Sequence, residues 1–161
     1  MKKLLYTLLF FFFLVSYSQE NSNNWEEKER REMRASYMSY LTAEGYLPSI
    51  DDDMDIKFKS EGKTYYIFVK SKSSFVLARV IGNDAGCSDV ALKAVNKVNS
   101  RFRNVTAYLF DSCDGMVVKS VSWLKNEDDY KGDVFRSSLD IVNNAVQASK
   151  RYYSEFLNEG Q

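Results

Sequence analysis

The sixteen residues from Met54 to Val69, MDIKFKSEGKTYYIFV, restrict the fold more than any other stretch of the chain. Ile56 and Phe58 alternate with Lys57 and Lys59, the period of a half-buried strand, while Tyr65 to Val69 form an unbroken apolar run. Between them Ser60-Glu61-Gly62-Lys63 reads as a tight turn, with Gly62 supplying the positive φ that a short hairpin needs. The second strand, a continuous apolar run, is expected to be covered on both faces, and the acidic run Asp51-Asp52-Asp53 to keep the start of an edge strand soluble.

The remaining elements follow from periodicity. Asn24, Trp25 and Glu27 carry the signature of a capping box, opening a helix that runs to about Glu44. Its first half is charged all round, and Met33, Tyr37, Tyr40 and Leu41 then form one apolar stripe. Gly45 stands where a helix C-cap is expected, and Pro48 prevents the helix from resuming. Phe75 to Ile81 reads as a third strand. A second helix starts near Ser88 and carries Ala91, Val95, Val98 and Phe102. Val105 to Phe110 and Met116 to Leu124 are a fourth and fifth strand, joined through Asp111 to Gly115. Asn126 to Gly132 reads as a polar loop, after which Asp133 caps a long closing helix bearing Phe135, Leu139, Val142, Val146, Ser149, Tyr153 and Phe156. The predicted order is α-β-β-β-α-β-β-α: an α+β domain, with a five-stranded, mainly antiparallel sheet and helices packed mainly on one face.

The first residues have a separate meaning. Lys2 and Lys3 precede the apolar run Leu4 to Val15, which ends in Ser16-Tyr17-Ser18, the layout of a secretory signal peptide. The run is shorter than the roughly 20 residues a membrane-spanning helix requires. Residues 1–18 are therefore expected to be a removable leader, 19–33 a polar segment with the charged start of the first helix, and 34–158 a single domain. The expected destination is the periplasm or the extracellular space, with no stable membrane insertion after cleavage. Without the leader's two lysines the chain has two fewer basic than acidic side chains, a balance that favours neither nucleic acid nor an anionic membrane as a partner. The full chain is 45% apolar and 15% aromatic, and the part after the leader is long enough to build its core without a metal or disulfide.

Candidate chemistry is sparse. The chain has no histidine, which removes the commonest general base and metal ligand. Ser71-Lys72 and Ser149-Lys150 are neighbours in sequence, and adjacent residues on a helix do not face each other. Asp51, Asp53 and Asp55 have the first spacings of a calcium loop, but Ile56 and Gly62 stand where that loop needs glycine and a bidentate glutamate. No catalytic, cofactor or metal site is expected. Cys87 and Cys113 fall at one end of the domain if the second helix and fourth strand have their expected lengths, and that match leaves both a disulfide and two separate thiols open. A CxxC redox role is excluded by their spacing.

The aromatic surplus is the feature most relevant to function. Tyr66, Phe68, Tyr108 and Phe110 alternate on one face of their strands, opposite Tyr65, Ile67, Val69, Val105, Ala107 and Leu109. Either a helix covers this second face or it is an interaction surface. Arg79 is the one charge inside the third strand and shares a face with Phe75, Leu77 and Ile81. Its head is expected to reach solvent at a sheet edge or sheet end, or to mark a polar rim of the recognition face.

Leu41, Glu44-Gly45-Tyr46, Ile50-Asp51, Asp55-Ile56, Phe58 and Glu61-Gly62-Lys63-Thr64-Tyr65-Tyr66-Ile67 resemble the opening of the YbjN family of bacterial sensory-transduction regulators. The resemblance continues through Asn96 and Asn99-Ser100-Arg101-Phe102 to the closing helix, from about Arg34 to Leu157. It implies the fold of type III secretion chaperones, small domains that typically dimerise and bind protein segments, and brings no catalytic residues with it. A signal peptide departs from that family's usual pattern. The expected function is an exported, non-enzymatic binding domain, a protein-interaction or chaperone-like module acting through its sheet or as a dimer. The alternative is a carrier of a small apolar ligand, with a pocket between sheet and helices lined by Tyr37, Tyr65 and Tyr153.

Overall fold

The computed structural model describes residues 26–83 and 86–159. The leader and the capping box at Asn24 and Trp25 lie outside the described residues.

Residues 26–43 are helical (α1), with Met33, Tyr37 and Leu41 buried along one stripe. The helix ends in a double cap: the Tyr46 N–H donates to Leu41 O (2.9 Å) and the Gly45 N–H to Thr42 O (3.1 Å). Gly45 has φ +87°, the left-handed turn that such a cap needs and a β-carbon disfavours. A two-residue strand follows, β1 (Ser49–Ile50), paired with Lys57 and Ile56. It raises the sheet from the expected five strands to six. Both its residues are exposed, and two residues are too few to display an alternation.

The Asp51 carboxylate then organises the turn, its Oδ1 accepting from the backbone N–H groups of Asp53 (3.1 Å) and Asp55 (2.9 Å). The acidic run is thus a turn held by its own side chain. The hairpin comprises β2 (Ile56–Ser60) and β3 (Lys63–Ile67), and both connecting residues have positive φ, Glu61 at 50° and Gly62 at 74°. This is the geometry whose twist matches the flanking strands.

After β4 (Ser74–Gly82) comes α2 (Asp89–Arg101), whose N-cap Ser88 accepts from the Ala91 N–H. Then follow β5 (Val105–Leu109) and β6 (Gly115–Trp123), and α3 (Asp133–Glu159) closes the fold. The strand order is β1-β2-β3-β4-β6-β5, antiparallel at every pairing. The longest ladder joins β4 to β6, from Ser74↔Trp123 to Gly82↔Gly115, which makes β4 central.

The register divides the sheet into two faces. Ile56, Phe58, Tyr65, Ile67, Phe75 and Leu77 pack with Tyr37, Leu41, Phe135 and Val142 in one core cluster. Val105, Ala107, Met116 and Val118 pack with Ala94, Val95, Val98, Val146 and Tyr152 in a second. All three helices therefore lie on one face. Phe58, Phe75 and Phe135 are at most 1% exposed, each such side chain contributing about 1.5–3 kcal/mol.

The loop before α3 departs from the sequence expectation. Tyr130, in what reads as a polar stretch, is 1% exposed and stacks on Phe75 with ring centroids 5.8 Å apart. Its hydroxyl is hydrogen-bonded to Ser36 Oγ (2.8 Å), and the neighbouring Gly132 N–H donates to the Tyr40 hydroxyl (3.0 Å). The loop is thereby stitched to α1.

Candidate functional site

The second face of the sheet is covered by no element among the described residues, so the expectation that β3 is enclosed on both sides is not met by them. Lys57↔Tyr66, Tyr66↔Ala78, Ala78↔Lys119 and Thr106↔Lys119 form one row across it. Val80↔Val117 and Tyr108↔Val117 form the next. Phe68 continues the β3 ladder by donating its N–H to Val76 O (3.0 Å), and the Phe110 N–H donates to Gly115 O (2.9 Å). The structure thus puts Tyr66, Phe68, Tyr108 and Phe110 together on the open face.

These four rings wall a groove of about 460 Å³ floored by Val80 and Val117. Val76, Ala78 and Val117 are buried, although no helix lies over them, and Tyr108 and Phe110 are each 37% exposed. Trp123 lies on the same face at the far end of β6 and is 79% exposed. The groove's margins are charged in both senses, with Asp51, Asp53 and Asp55 on one rim and Lys70 and Lys119 nearby. Lys119 Nζ stands 5.2 Å from the Tyr108 ring centroid and Lys70 Nζ 5.8 Å from that of Phe68. Asp55 accepts the Val69 N–H at 3.0 Å. Burial holds its carboxyl above the usual range, partly offset by that hydrogen bond and by Lys70.

Arg79 lies elsewhere, and the expectation that it rims this surface or sits at a sheet edge is corrected. It falls in step with Phe75 and Leu77 on central β4, beneath α3, and is only 9% exposed. Its Nη1 donates to Asn143 Oδ1 (3.1 Å).

Cys87 and Cys113 stand with Cα atoms 5.2 Å apart and are joined as a disulfide, within the Cα separation such a bond requires. It ties the start of α2 to the β5–β6 turn. Asn83 reinforces the junction, its Nδ2 donating to Gly86 O (2.7 Å) and Cys113 O (2.9 Å).

Tyr37, Tyr65 and Tyr153 do not share a cavity. The first two are buried in the α1 cluster. Tyr153 lines a separate open cleft of about 360 Å³ among α2, α3 and the sheet end, with Ile81, Leu109 and Met116. The Ser-Lys neighbours do not converge either: Ser149 Oγ donates to Val146 O, Ser71 Oγ bonds Ser73 and Ser74, and Lys72 pairs with Glu127.

Sequence reasoning did not single out Val80, Val117, Lys70, Lys119 or Trp123 as parts of the groove. Alternation along β6 puts Val117, Lys119 and Trp123 on one face, but which strand lies beside them is a property of the pairing, which no single strand displays.

The model of the YbjN family, described as "Putative bacterial sensory transduction regulator", matches residues 38–158. The crystal structure of YbjN from E. coli aligns with 73% of this chain and 91% of its own, at 12% identity and a TM-score of 0.57. An uncharacterized protein from Methanothermobacter thermautotrophicus aligns with 76% of this chain and 97% of its own, at 14% identity and a TM-score of 0.54. The Yersinia pestis type III secretion chaperone SycH, solved in complex with a stable fragment of YscM2, covers 72% of this chain and 98% of its own, at 14% identity and a TM-score of 0.49. No curated protein matches the sequence. At these identities the likeness is one of fold.

Proposed function

The chain belongs to the YbjN family, and from that footing we propose that it is an exported, non-enzymatic domain that holds a segment of a partner protein in the aromatic groove of its open sheet face. The observation that carries this reading is the groove itself: four partly exposed aromatic rings over Val80 and Val117, on the face that no helix among the described residues covers. Burying such rings is what interface anchors do.

The shape of the groove favours a protruding segment over a second copy of the same face, because two concave surfaces set against each other leave a void. Its charges favour an amphipathic occupant. Apolar side chains meet Tyr66, Phe68, Tyr108 and Phe110, while basic groups meet Asp51, Asp53 and Asp55 and acidic ones meet Lys70 and Lys119. The non-enzymatic part of the reading draws on a histidine-free sequence and on Ser71 and Ser149, whose hydroxyls bond neighbouring serine or backbone groups rather than the adjacent lysines. Export draws on Lys2-Lys3 and the apolar run that follows.

A photo-crosslinking residue placed at Phe68 or Tyr108 in the full chain, expressed in its own cells, tests the reading. Position Leu92, exposed on α2, serves as the control. Crosslinks to a discrete partner from 68 and 108 but not from 92 are expected. Only self-crosslinks would assign the face to a dimer. Equal yields from all three positions, or none, would remove the groove as a binding site. N-terminal sequencing of the mature protein tests export: a start at Gln19 is expected, and a retained Met1 would overturn it.

A further inference from the structure

Arg79 sits in the middle of the sheet with nine-tenths of its surface withdrawn from water. A guanidinium in that position ordinarily meets a carboxylate, because a buried charge without a counter-charge is strongly disfavoured. Among the described residues no carboxylate stands at ion-pair distance from it. The partners it touches are neutral: Nη1 donates to Asn143 Oδ1 at 3.1 Å, the guanidinium carbon is 5.4 Å from the Tyr65 ring centroid, and Nε has no hydrogen-bond partner.

A second cation comes to the same atom. Lys63 Nζ donates to Asn143 Oδ1 at 3.2 Å, so an ammonium and a guanidinium together use both lone pairs of one amide oxygen. Among the described residues the only carboxylate at ion-pair distance from Lys63 is Glu61, 3.7 Å away, whose side chain is 83% exposed. Exposed as it is, it offers Arg79 little. Two positive charges thus converge between β3, β4 and α3 without a buried counter-charge, and the less buried of them, Lys63, stands at the solvent side.

We infer that Arg79, Lys63 and Asn143 form a binding site for a small oxyanion, a carboxylate or phosphate group that enters past Lys63. The guanidinium supplies Nε and Nη donors in a fixed fork, the geometry that matches such groups. Lys63 supplies a mobile point charge at the mouth. Asn143, by turning its amide over, presents Nδ2 as a further donor in place of the oxygen that now satisfies the two cations. Asp140, one turn before Asn143 and near enough to Tyr65 to influence its hydroxyl, is the protein's own rival for the same cations. The site lies on the helix-covered face, away from the aromatic groove, and stands or falls independently of it.

Titration of the folded full chain, followed through the side-chain N–H resonances of Arg79 and Asn143, tests the inference. One arm uses inorganic phosphate and the other acetate, at ionic strength held constant with chloride. The Arg79 Nε–H signal is identified by its loss in Arg79→Lys. The expected result is a saturable shift of both resonances with one or both anions, and a midpoint about tenfold higher in Lys63→Gln. That variant alters only the solvent end of the site, and its unliganded spectrum checks that the fold is intact. The arm with the lower midpoint identifies the preferred group. No saturable shift with either anion would overturn the inference, as would an equal midpoint in Lys63→Gln. An anion response that appears only in Asp140→Asn would assign the cations to Asp140 instead and likewise overturn it.

Discussion

The ring of Phe110 occupies the space that the absent side chain of Gly115 leaves open: a β-carbon on residue 115 would stand 2.6 Å from Phe110 Cδ2. Residue 115 shares the open face with Val117 and Lys119, so Phe110 can close one wall of the groove only because its neighbour is glycine.

Gly115→Ala is therefore expected to expel the Phe110 ring from the groove while leaving the helix-covered core untouched. Phe110 is partly exposed and can move, so the stability loss should be about 1 kcal/mol. The yield of partner crosslinks from position 68 should fall several-fold. Denaturant unfolding and crosslinking on the same variant check both parts, and full yield with Gly115→Ala would show that the wall formed by Phe110 is dispensable.

The Cys87–Cys113 bond closes a loop over a sequence separation of 26, for which constraint of the unfolded chain predicts a stabilisation of about 3 kcal/mol. Reductant should lower the thermal midpoint of the native protein, and Cys113→Ser should have the same low midpoint with or without reductant. Indifference of the native protein to reductant would mean that the two thiols remain unpaired in its compartment.

Three core tyrosines give the fold an alkaline limit. Burial raises the phenol pKa of Tyr37, with Tyr130 beside it adding to the effect. Burial also raises that of Tyr65, offset in part by Arg79, and that of Tyr130, offset in part by the Ser36 hydrogen bond. Each folded pKa lies above the unfolded value of about 10. The unfolded chain therefore releases these protons first, and stability present in full below about pH 10 is lost as pH rises toward the folded values. Chemical unfolding across that range should show the loss, and Tyr37→Phe should lessen it. Native-state phenolate absorbance that rises as it does in free tyrosine, with unchanged stability, would contradict this.

Much of the fold was legible because its signals are local. The Gly45 cap, the Glu61-Gly62 turn, the Ser88 cap and the stripe Met33, Tyr37, Leu41 each lie within a few residues of what they specify. Strand β1 was not legible, since Ser49 and Ile50 gain strand character only from pairing with β2. Tyr130 was hidden for a similar reason: its partners Ser36 and Phe75 lie far off in sequence. Alternation correctly grouped Tyr66 with Phe68 and Tyr108 with Phe110, yet it does not tell a covered face from an open one. Arg79 shows the same limit, because alternation put it with Phe75 and Leu77, whereas its burial depends on α3 and Asn143.

Radical footprinting of the protein in its own cells, compared with the purified protein at high dilution, tests the role of the open face most directly. Tyr66, Phe68, Tyr108 and Phe110 should lose most of their labelling in the cells, while Leu92 on α2 is labelled alike in both. Equal labelling of Tyr108 and Phe110 in the two samples would show that the groove stays in contact with water, and the proposal that it holds a partner would be contradicted.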